Sequence, residues 1–531
     1  MSVFCLCGCS FCGNTQCFAT NFVFKGRNEY VSEGNVQEFS KFRAFIFPIH
    51  RHELKKFLPM SFLMFFILFI YTLVRDLKDI FVQYHTNLWV GASKDASAQL
   101  ISALKVWYVM PVAFLTVMIF TKLINKFGSQ KTFYIIVSSF MVFYAVFGFI
   151  LYPNLKTLEM SSQAITSMIG NVPAFFHTFL TCAANWPVSM FYVFSEIWGT
   201  LAVSSLFWQF ANATTMRNEV KRFFGLFSLV ANIGVVIAGL TIKGALKDAS
   251  INNVRWLMIA VVLVGAAILF VYKYINEKIL TDKRFYDPSQ IKEKKKKGKV
   301  SIMEGLRILF TDKYLLLISI LVIGYGMAVN FSEVLMKAQM KMAFTGQQYT
   351  DMQSNISIFT GIFTIFVTLF GANILRRCKW KTSALATPVI FLIFGSIFFA
   401  LTLYNKYVKG ATILGVSALT LAVWFGVIQN ALVKSVKYSL FDSTKNMAYL
   451  PLDPDTKTKG QAAVEVVGGR AGKAGAAFIQ QIMFAFVAGV MNHAISIIGI
   501  YVVTVLIWIS SVCGLSPKYE KALADKEKAA A

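Results

Sequence analysis

The chain has 531 residues, of which 56% are hydrophobic and 15% charged, and its mean hydropathy is +0.60. Soluble domains carry about a quarter charged residues, so this composition excludes a set of soluble domains and describes an all-α, polytopic membrane protein. The formal charge is +26, from 52 Lys and Arg against 26 Asp and Glu. In a membrane protein that excess belongs to cytoplasmic loops rather than to direct nucleic-acid binding, and it leaves an anionic small substrate open.

Residues 1–56 read as a cytoplasmic N-terminal tail. Cys5, Cys7, Cys9, Cys12 and Cys17 crowd its start, in a spacing that matches no standard zinc pattern and with no His nearby. No metal or other cofactor is therefore assigned. No basic stretch precedes an apolar one, so no cleaved signal peptide is expected.

An N-terminal bundle, 57–275, follows with six spans: about Phe57–Val74, Ile101–Phe120 with Pro111 inside it, Thr132–Tyr152, Pro187–Thr214, Phe223–Ile242 and Val254–Tyr274. Ala164–Ala184 is moderately apolar and reads as an interfacial or short extramembrane helix. A basic cytoplasmic linker, 276–313, carries the run Lys292–Lys299 (KEKKKKGK). A C-terminal bundle, 314–513, repeats the plan at about Tyr314–Met336, Ile356–Ile374, Ser383–Leu403, Ile413–Leu432, Ala462–Val487 and Val490–Val512, and a short cytoplasmic tail, 514–531, closes the chain. Each span is near the roughly 20 residues a helix needs to cross.

Loop charge sets the orientation. Lys122, Lys126 and Lys131 follow span two; Arg217, Lys221 and Arg222 follow span four; the run Lys292–Lys299 follows span six; Arg376, Arg377, Lys379 and Lys381 follow span eight; Lys434, Lys437, Lys445, Lys457 and Lys459 follow span ten. All are even-numbered exits, which places these loops and both termini in the cytoplasm. The opposite-side loops carry fewer basic residues, with Lys243, Lys247, Lys406 and Lys409 as exceptions. Two six-helix halves with a basic loop at the same place in each describe a twelve-helix, major-facilitator-like architecture with a central site between the halves.

Charges inside the spans are the functional signal, because a charged side chain at the bilayer centre costs about 2.5–3.5 kcal/mol even on mild insertion scales. Glu196 lies ten residues into FYVFSEIW-bearing span four. Arg75, Lys78 and Asp79 share a helical face late in span one, and Asn330, Glu333 and Lys337 are spaced three and four apart late in span seven. Span five carries Asn232. In span eleven, AAVEVVGGRAGKAGAA, Glu465, Gly469 and Lys473 repeat every four residues, Arg470 adds a third charge, and Gly468 and Gly472 offer a close-packing face. The bland alternative for each cluster is an interfacial or structural ion pair. GGRAGKA is not a phosphate-binding loop, since Val467 stands where a Gly and Ala474 where a hydroxyl is required. No catalytic motif is present, so no enzyme is expected. The cations Arg75, Lys78, Arg470 and Lys473 suit phosphate groups; Glu196 and Glu333 suit counter-charges or proton carriers; Trp107, Tyr192 and Tyr325 are aromatic surfaces on which a base could stack.

With those motifs in view, the sequence resembles the ATP/ADP translocase (nucleotide transporter) family of intracellular bacteria and plastids. The resemblance covers about Lys41–Ser511 and rests on ELKKFLPMSFLMFFILF at 53–69, VRDLKD at 74–79, FYVFSEIWGT at 191–200, FWQFAN at 207–212, LTDKRFYDP at 280–288, FSEVLMKAQMK at 331–341, KYSLFDSTKNMAYLPLD at 437–453 and KGQAAVEVV…GKAG at 459–475. It implies a twelve-helix carrier, in the bacterial inner membrane, whose functional charges map onto Lys78, Glu196, Glu333 and Lys473. It also implies exchange of ATP for ADP and phosphate, or of other nucleotides, or their import with protons. The chain departs from the family at Ile70, Leu77, Met336, Glu465 and the GKAGA stretch, Gly472–Ala476. The expected function is thus an ATP:ADP or broader nucleotide antiporter working by alternating access as a monomer. The alternatives are a proton-coupled importer of several nucleoside triphosphates and a membrane-bound nucleotide sensor.

Overall fold

The computed structural model describes residues 47–84, 97–247, 249–286, 311–408, 410–452, 460, 464 and 468–530, and its helices belong to the compact unit Ile49–Ala531. The Cys-rich start, the basic run 292–299 and Glu465 lie outside the described residues. Ten helices among the described residues are long and apolar enough to cross a membrane.

The first helix, α1 (Leu54–Tyr84), has 31 residues. At 1.5 Å per residue it is about 46 Å long, so the VRDLKD segment, expected at the outer end of a span ending near Val74, instead continues the helix by three turns. Two ion pairs fix its start. Arg222 grips Glu53 through both guanidinium nitrogens, at 2.5 and 2.7 Å, and the buried Lys56 donates to Glu219 and to the Phe285 carbonyl, each at 2.6 Å.

A continuous rod then runs from α2 (Ser97–Ala103) through a π-helical stretch, Leu104–Val109, into α3 (Met110–Val146). Pro111 does not interrupt it, because it falls where the π-helical winding gives way to α. The break comes at Gly128, with φ +76° and ψ 168°, a conformation that costs a glycine little. Short helices α4 (Leu155–Leu158), α5 (Ser162–Gly170) and α6 (His177–Ala184) fill the next connection. The fourth apolar span is α7 (Trp186–Trp198), a π-helical Gly199–Phe207 and α8 (Trp208–Thr214). Helices α9 (Arg217–Ala245) and α10 (Ile251–Tyr274) come next.

Asp312 opens the following segment by accepting the Tyr314 backbone N–H at 2.7 Å, which caps α11 (Lys313–Ala343). This helix runs seven residues past the expected Met336, so Lys337 and Lys341 belong to it. It is succeeded by α12 (Gln347–Arg377) and α13 (Trp380–Tyr407). The tenth span starts later than Ile413. Residues Thr412–Ile413 (β1) and Val416–Ser417 (β2) pair as a small hairpin whose turn residues Leu414 and Gly415 both have positive φ, and α14 begins at Ala418 (Ala418–Val436). Then come a π-helical Lys437–Phe441, α15 (Asp442–Ala448), α16 (Gly469–Phe486) and α17 (Ala494–Ala530). The expected C-terminal tail is a continuation of α17, where Tyr519 stacks on Trp380 with ring centroids 4.9 Å apart.

Large apolar side chains such as Phe114, Val142, Phe149, Trp256, Leu263, Phe270, Phe366 and Phe370 are exposed, as expected for a surface solvated by lipid. Helices approach each other at small residues. A Cβ on Gly361 of α12 would lie 2.9 Å from the Asn232 carbonyl oxygen of α9, and one on Gly472 of α16 would lie 2.6 Å from the Ile323 carbonyl oxygen and 3.2 Å from Gly326 Cα of α11. The α11–α16 contact is therefore backbone against backbone. It is tied by Asn330 Nδ2, which donates to the Lys473 carbonyl at 2.7 Å. Gly472→Ala is expected to lower the thermal unfolding midpoint of the purified protein by several degrees, whereas Gly475→Ala, whose Cβ meets nothing within 4 Å, leaves it unchanged. Equal midpoints for the two variants would remove the close-packing role.

Candidate functional site

The charged residues of α1, α2–α3, α7, α11, α14 and α16 converge on one cavity of about 290 Å³. Tyr71, Arg75, Lys78 and Asp79 of α1 face Tyr325, Asn330, Glu333 and Lys337 of α11 across it. Lys105, Glu196, Thr200, Gln353, Lys434, Lys437, Lys473 and Ala474 also stand in the wall, with Gly469 and apolar side chains such as Val109 and Ile197 between them. Both sides of the cavity obey helical spacing: residues 71, 75 and 78 on one helix, and 330, 333 and 337 on the other, follow three- and four-residue steps.

The ion pairs form a connected net. Asp79 accepts from Lys78 at 2.9 Å and from Lys337 at 2.7 Å, and all three side chains are at most 4% exposed. Lys78 also lies 3.1 Å from Glu196, which is one-third exposed to the cavity, and 3.9 Å above the Tyr192 ring. Glu333 is approached by Lys105 at 3.4 Å, Lys434 at 3.6 Å and Lys337 at 3.7 Å. Behind the cavity, Arg75 donates to the Ser357 hydroxyl at 2.9 Å. That hydroxyl donates to the buried Asp76 carboxylate, which also receives Gln353 Nε2 at 3.3 Å.

Every charged group of this net thus has a partner, as groups too costly to strand in lipid must. The balance is nevertheless uneven. Seven basic and three acidic side chains line the cavity, a formal surplus of four positive charges among the described residues. Lys473 is exposed within it. An arrangement of this kind can accept a multiply charged anion without a metal.

The sequence-expected residues sort cleanly. Lys78, Glu196, Glu333, Lys473 and Arg75 are brought together in the cavity. Asn232 is not: it is buried between α9 and α12, and its amide donates to the Ser228 carbonyl at 2.7 Å. Arg470 has its backbone on α16, but its side chain is outside the described set. Of the aromatic candidates, Tyr325 lines the cavity, Tyr192 lies under Lys78, and Trp107 packs instead against Phe175, Phe176 and Phe179. Of the departures from the family pattern, Ile70, Leu77 and Met336 are fully buried and do not line the cavity; Ala474 does.

Sequence reasoning missed Lys105, Tyr71, Thr200 and Gln353, and read Lys434 and Lys437 as loop charges that set topology. Lys105 carried the same signal as Glu196, a lone charge inside an apolar span. Lys434 and Lys437 did not, because an apolar run ending in Lys looks the same whether the Lys enters water or turns into a cavity. Three cavity-lining helices also switch to π-helical winding beside their charged residue: Leu104–Val109 at Lys105, Gly199–Phe207 after Glu196, and Lys437–Phe441 after Lys434. Such turns are frequent at functional sites.

The chain is similar to known proteins. The family model described as "TLC ATP/ADP transporter" matches residues 32–519. ADP,ATP carrier protein 1 of Rickettsia bellii is 39% identical over 501 residues, covering 92% of this chain and 98% of the relative. ADP,ATP carrier protein 1 of Chlamydia muridarum is 38% identical over 502 residues, covering 92% and 93%. Among solved structures, a bacterial homologue of the iron transporter ferroportin in an inward-facing state superposes with a TM-score of 0.53 at 10% identity, covering 88% of this chain and all of that one. A D-xylose–proton symporter superposes with 0.52 at 12% identity, covering 87% and 97%. These two likenesses concern the fold alone, and the match over nearly the whole chain establishes more: this multi-pass membrane protein belongs to the TLC ATP/ADP transporter family.

Proposed function

We propose that the protein is a nucleotide carrier that exchanges ATP for ADP across a membrane by alternating access. The observation that carries this reading is the cavity itself. It is lined from two stretches of chain far apart in sequence, holds a surplus of positive charge, and brings Lys78, Glu196, Glu333 and Lys473 within one wall. Lysine ammonium groups pair with phosphate oxygens as point charges, and Tyr71 or Tyr325 offers an aromatic face for the base. Glu196 and Glu333 keep the lysines neutralised while no anion is bound.

Alternating access between two six-helix halves, 57–275 and 314–513, accounts for the placement of the polar ties. Those between the two stretches lie around the C-terminal third of α1, α2, the end of α9, the last turns of α11, the first half of α12 and the second half of α16. They include Lys341 to the Gln83 carbonyl at 2.5 Å, Ser102 to Gln480 at 2.5 Å and Lys337 to Asp79. At the other ends, Lys56–Glu219, Glu53–Arg222 and Tyr314–Ala448 stay within one stretch. If the basic even-numbered loops and both termini are cytoplasmic, the ties close the extracytoplasmic side. A count of twelve is supported by the break at Gly128, which divides the 61-residue rod Ala98–Leu158 into two crossings, and by α16, which adds a crossing carrying Lys473. A monomer in the inner membrane of an intracellular bacterium fits this reading, with phosphate as a further exchanged anion.

The rival reading keeps the nucleotide but couples it to protons through Glu196, whose carboxylate is one-third exposed to the cavity. Reconstituted vesicles separate the two. Exchange requires that uptake of labelled ATP depend on internal ADP and survive a protonophore; uptake indifferent to internal ADP and abolished by the protonophore would install proton coupling instead. Binding without any transport would support a sensor.

Lys473→Ala is expected to reduce ATP uptake at least a hundredfold, since the exposed cation has no substitute at that point of the wall. Uptake at the wild-type rate would take Lys473 out of the site. Asp79→Asn leaves Lys78 and Lys337 buried without their shared carboxylate, and breaking a buried pair costs about 3–5 kcal/mol. Its thermal unfolding midpoint is expected to fall, and Asp79→Asn combined with Lys337→Met is expected to recover part of the loss. A double variant no more stable than the single would show that Asp79 is not held by this pair.

A further inference from the structure

We propose that Lys105 and Lys434 are phosphate-binding residues of the cavity, one from each stretch of chain, and that Glu333 holds their ammonium groups until a nucleotide arrives. The proposal rests on the nucleotide-carrier reading above and goes beyond it by assigning the groups that grip the polyphosphate.

Lys105 lies 3.4 Å from Glu333 Oε2 and Lys434 lies 3.6 Å from Oε1. Among the described residues, no other carboxylate comes within 4 Å of either ammonium. The third cation near Glu333, Lys337, is committed elsewhere, with Asp79 at 2.7 Å against 3.7 Å for Glu333. One carboxylate therefore faces two otherwise unpaired lysines, and both contacts are longer than the 2.7–2.9 Å of a full charge-assisted bond. Lys105 has one further neutral contact, the Asn330 side-chain oxygen at 3.3 Å. Both ammonium-bearing side chains are about one-fifth exposed, to the cavity they line.

This is a shell with one positive charge more than its own anion can neutralise, with each ammonium carried on a flexible four-carbon stem. The chemistry that completes it is a second oxyanion placed between the two lysines. An anion with several charged oxygens in a row, such as a di- or triphosphate, reaches both lysines and still has oxygens for Lys78 and Lys473; a single phosphate, about as wide as the Glu333 carboxylate that touches both lysines, meets only part of that set. The two lysines belong to helices 329 residues apart in sequence, α2–α3 and α14, so a polyphosphate that engages both also links the two stretches of chain.

Equilibrium binding of ATP, ADP and AMP to the purified full-length protein tests this, with Lys105→Gln, Lys434→Gln, and each combined with Glu333→Gln. Each single variant is expected to weaken ATP roughly tenfold or more, the scale of a lost charged hydrogen bond, while AMP binding changes less than threefold. The slope of ATP affinity against salt concentration becomes shallower. Adding Glu333→Gln does not restore ATP binding. Lys434→Arg, which keeps the charge, retains the preference for ATP and controls for a folding defect.

An unchanged ratio of ATP to AMP affinity in both single variants overturns the proposal. So does recovery of wild-type ATP binding in the Glu333→Gln combinations, because the lysines would then serve only to neutralise Glu333. A wild-type protein that binds ATP no better than AMP would instead defeat the nucleotide-carrier reading itself, before the variants are compared.

Discussion

The structure turns on a single carboxylate shared by two lysines. Asp79 of α1 lies 2.9 Å from Lys78 on its own helix and 2.7 Å from Lys337 of α11, with all three side chains removed from solvent. Taking three charges out of water is costly, and the cost is offset only while the geometry holds. That geometry fixes how α1 and α11 face each other, and hence where Glu196, Glu333 and the remaining lysines stand. Around it lies a shell of polar ties of the same kind: Asp76 with Ser357, Lys341 with the Gln83 carbonyl, Ser102 with Gln480, Thr178 with Gln481. Polar contacts can be exchanged for water at small net cost, whereas an interdigitated apolar seam cannot. A seam built from them suits the alternating access proposed above.

Electrostatics explains why the cavity and the family agree. A surplus of four positive charges among the described residues, in a low-dielectric interior, attracts an anion of comparable charge, and the ADP,ATP carrier proteins of Rickettsia and Chlamydia, to which the chain is 38–39% identical, are named for such anions. The likeness to the ferroportin homologue and the xylose symporter, at 10–12% identity, concerns the scaffold alone. What gives this cavity its character is its set of charges, which is a property of side chains and not of fold.

Much of this was legible beforehand for one reason: charge inside an apolar run is expensive, so it is seldom idle. That argument located Glu196, Lys78, Glu333 and Lys473, and helical spacing correctly put Arg75, Lys78 and Asp79 on one face. It applies with equal force to Lys105 in span two, the charge it should have found and did not. It does not extend to Asn232, an uncharged amide that donates to the Ser228 carbonyl one turn back on its own helix; a helix carbonyl has a second lone pair for such a bond. Helix ends were misplaced where hydropathy falls before the helix does. α1 and α11 run on past the apolar stretch because their charged turns are buried against each other, which lets a helix be polar and still be packed.

The amino-acid sequence by itself determined that the chain is a helical membrane protein, roughly where its spans lie, which charges are too costly to be accidental, and which family its motifs resemble. Composition and periodicity are local properties, and the energy of transfer into lipid acts on each span separately. Only the tertiary structure decided which of those charges share a cavity. It assigned Lys434 and Lys437 to the site rather than to a loop, left Asn232 outside, and joined Asp79 to a lysine 258 residues away. Pairing between distant helices depends on how their small-residue faces dock, Gly326 on Gly472 and Gly361 on the Asn232 backbone, and no single stretch of sequence carries that information.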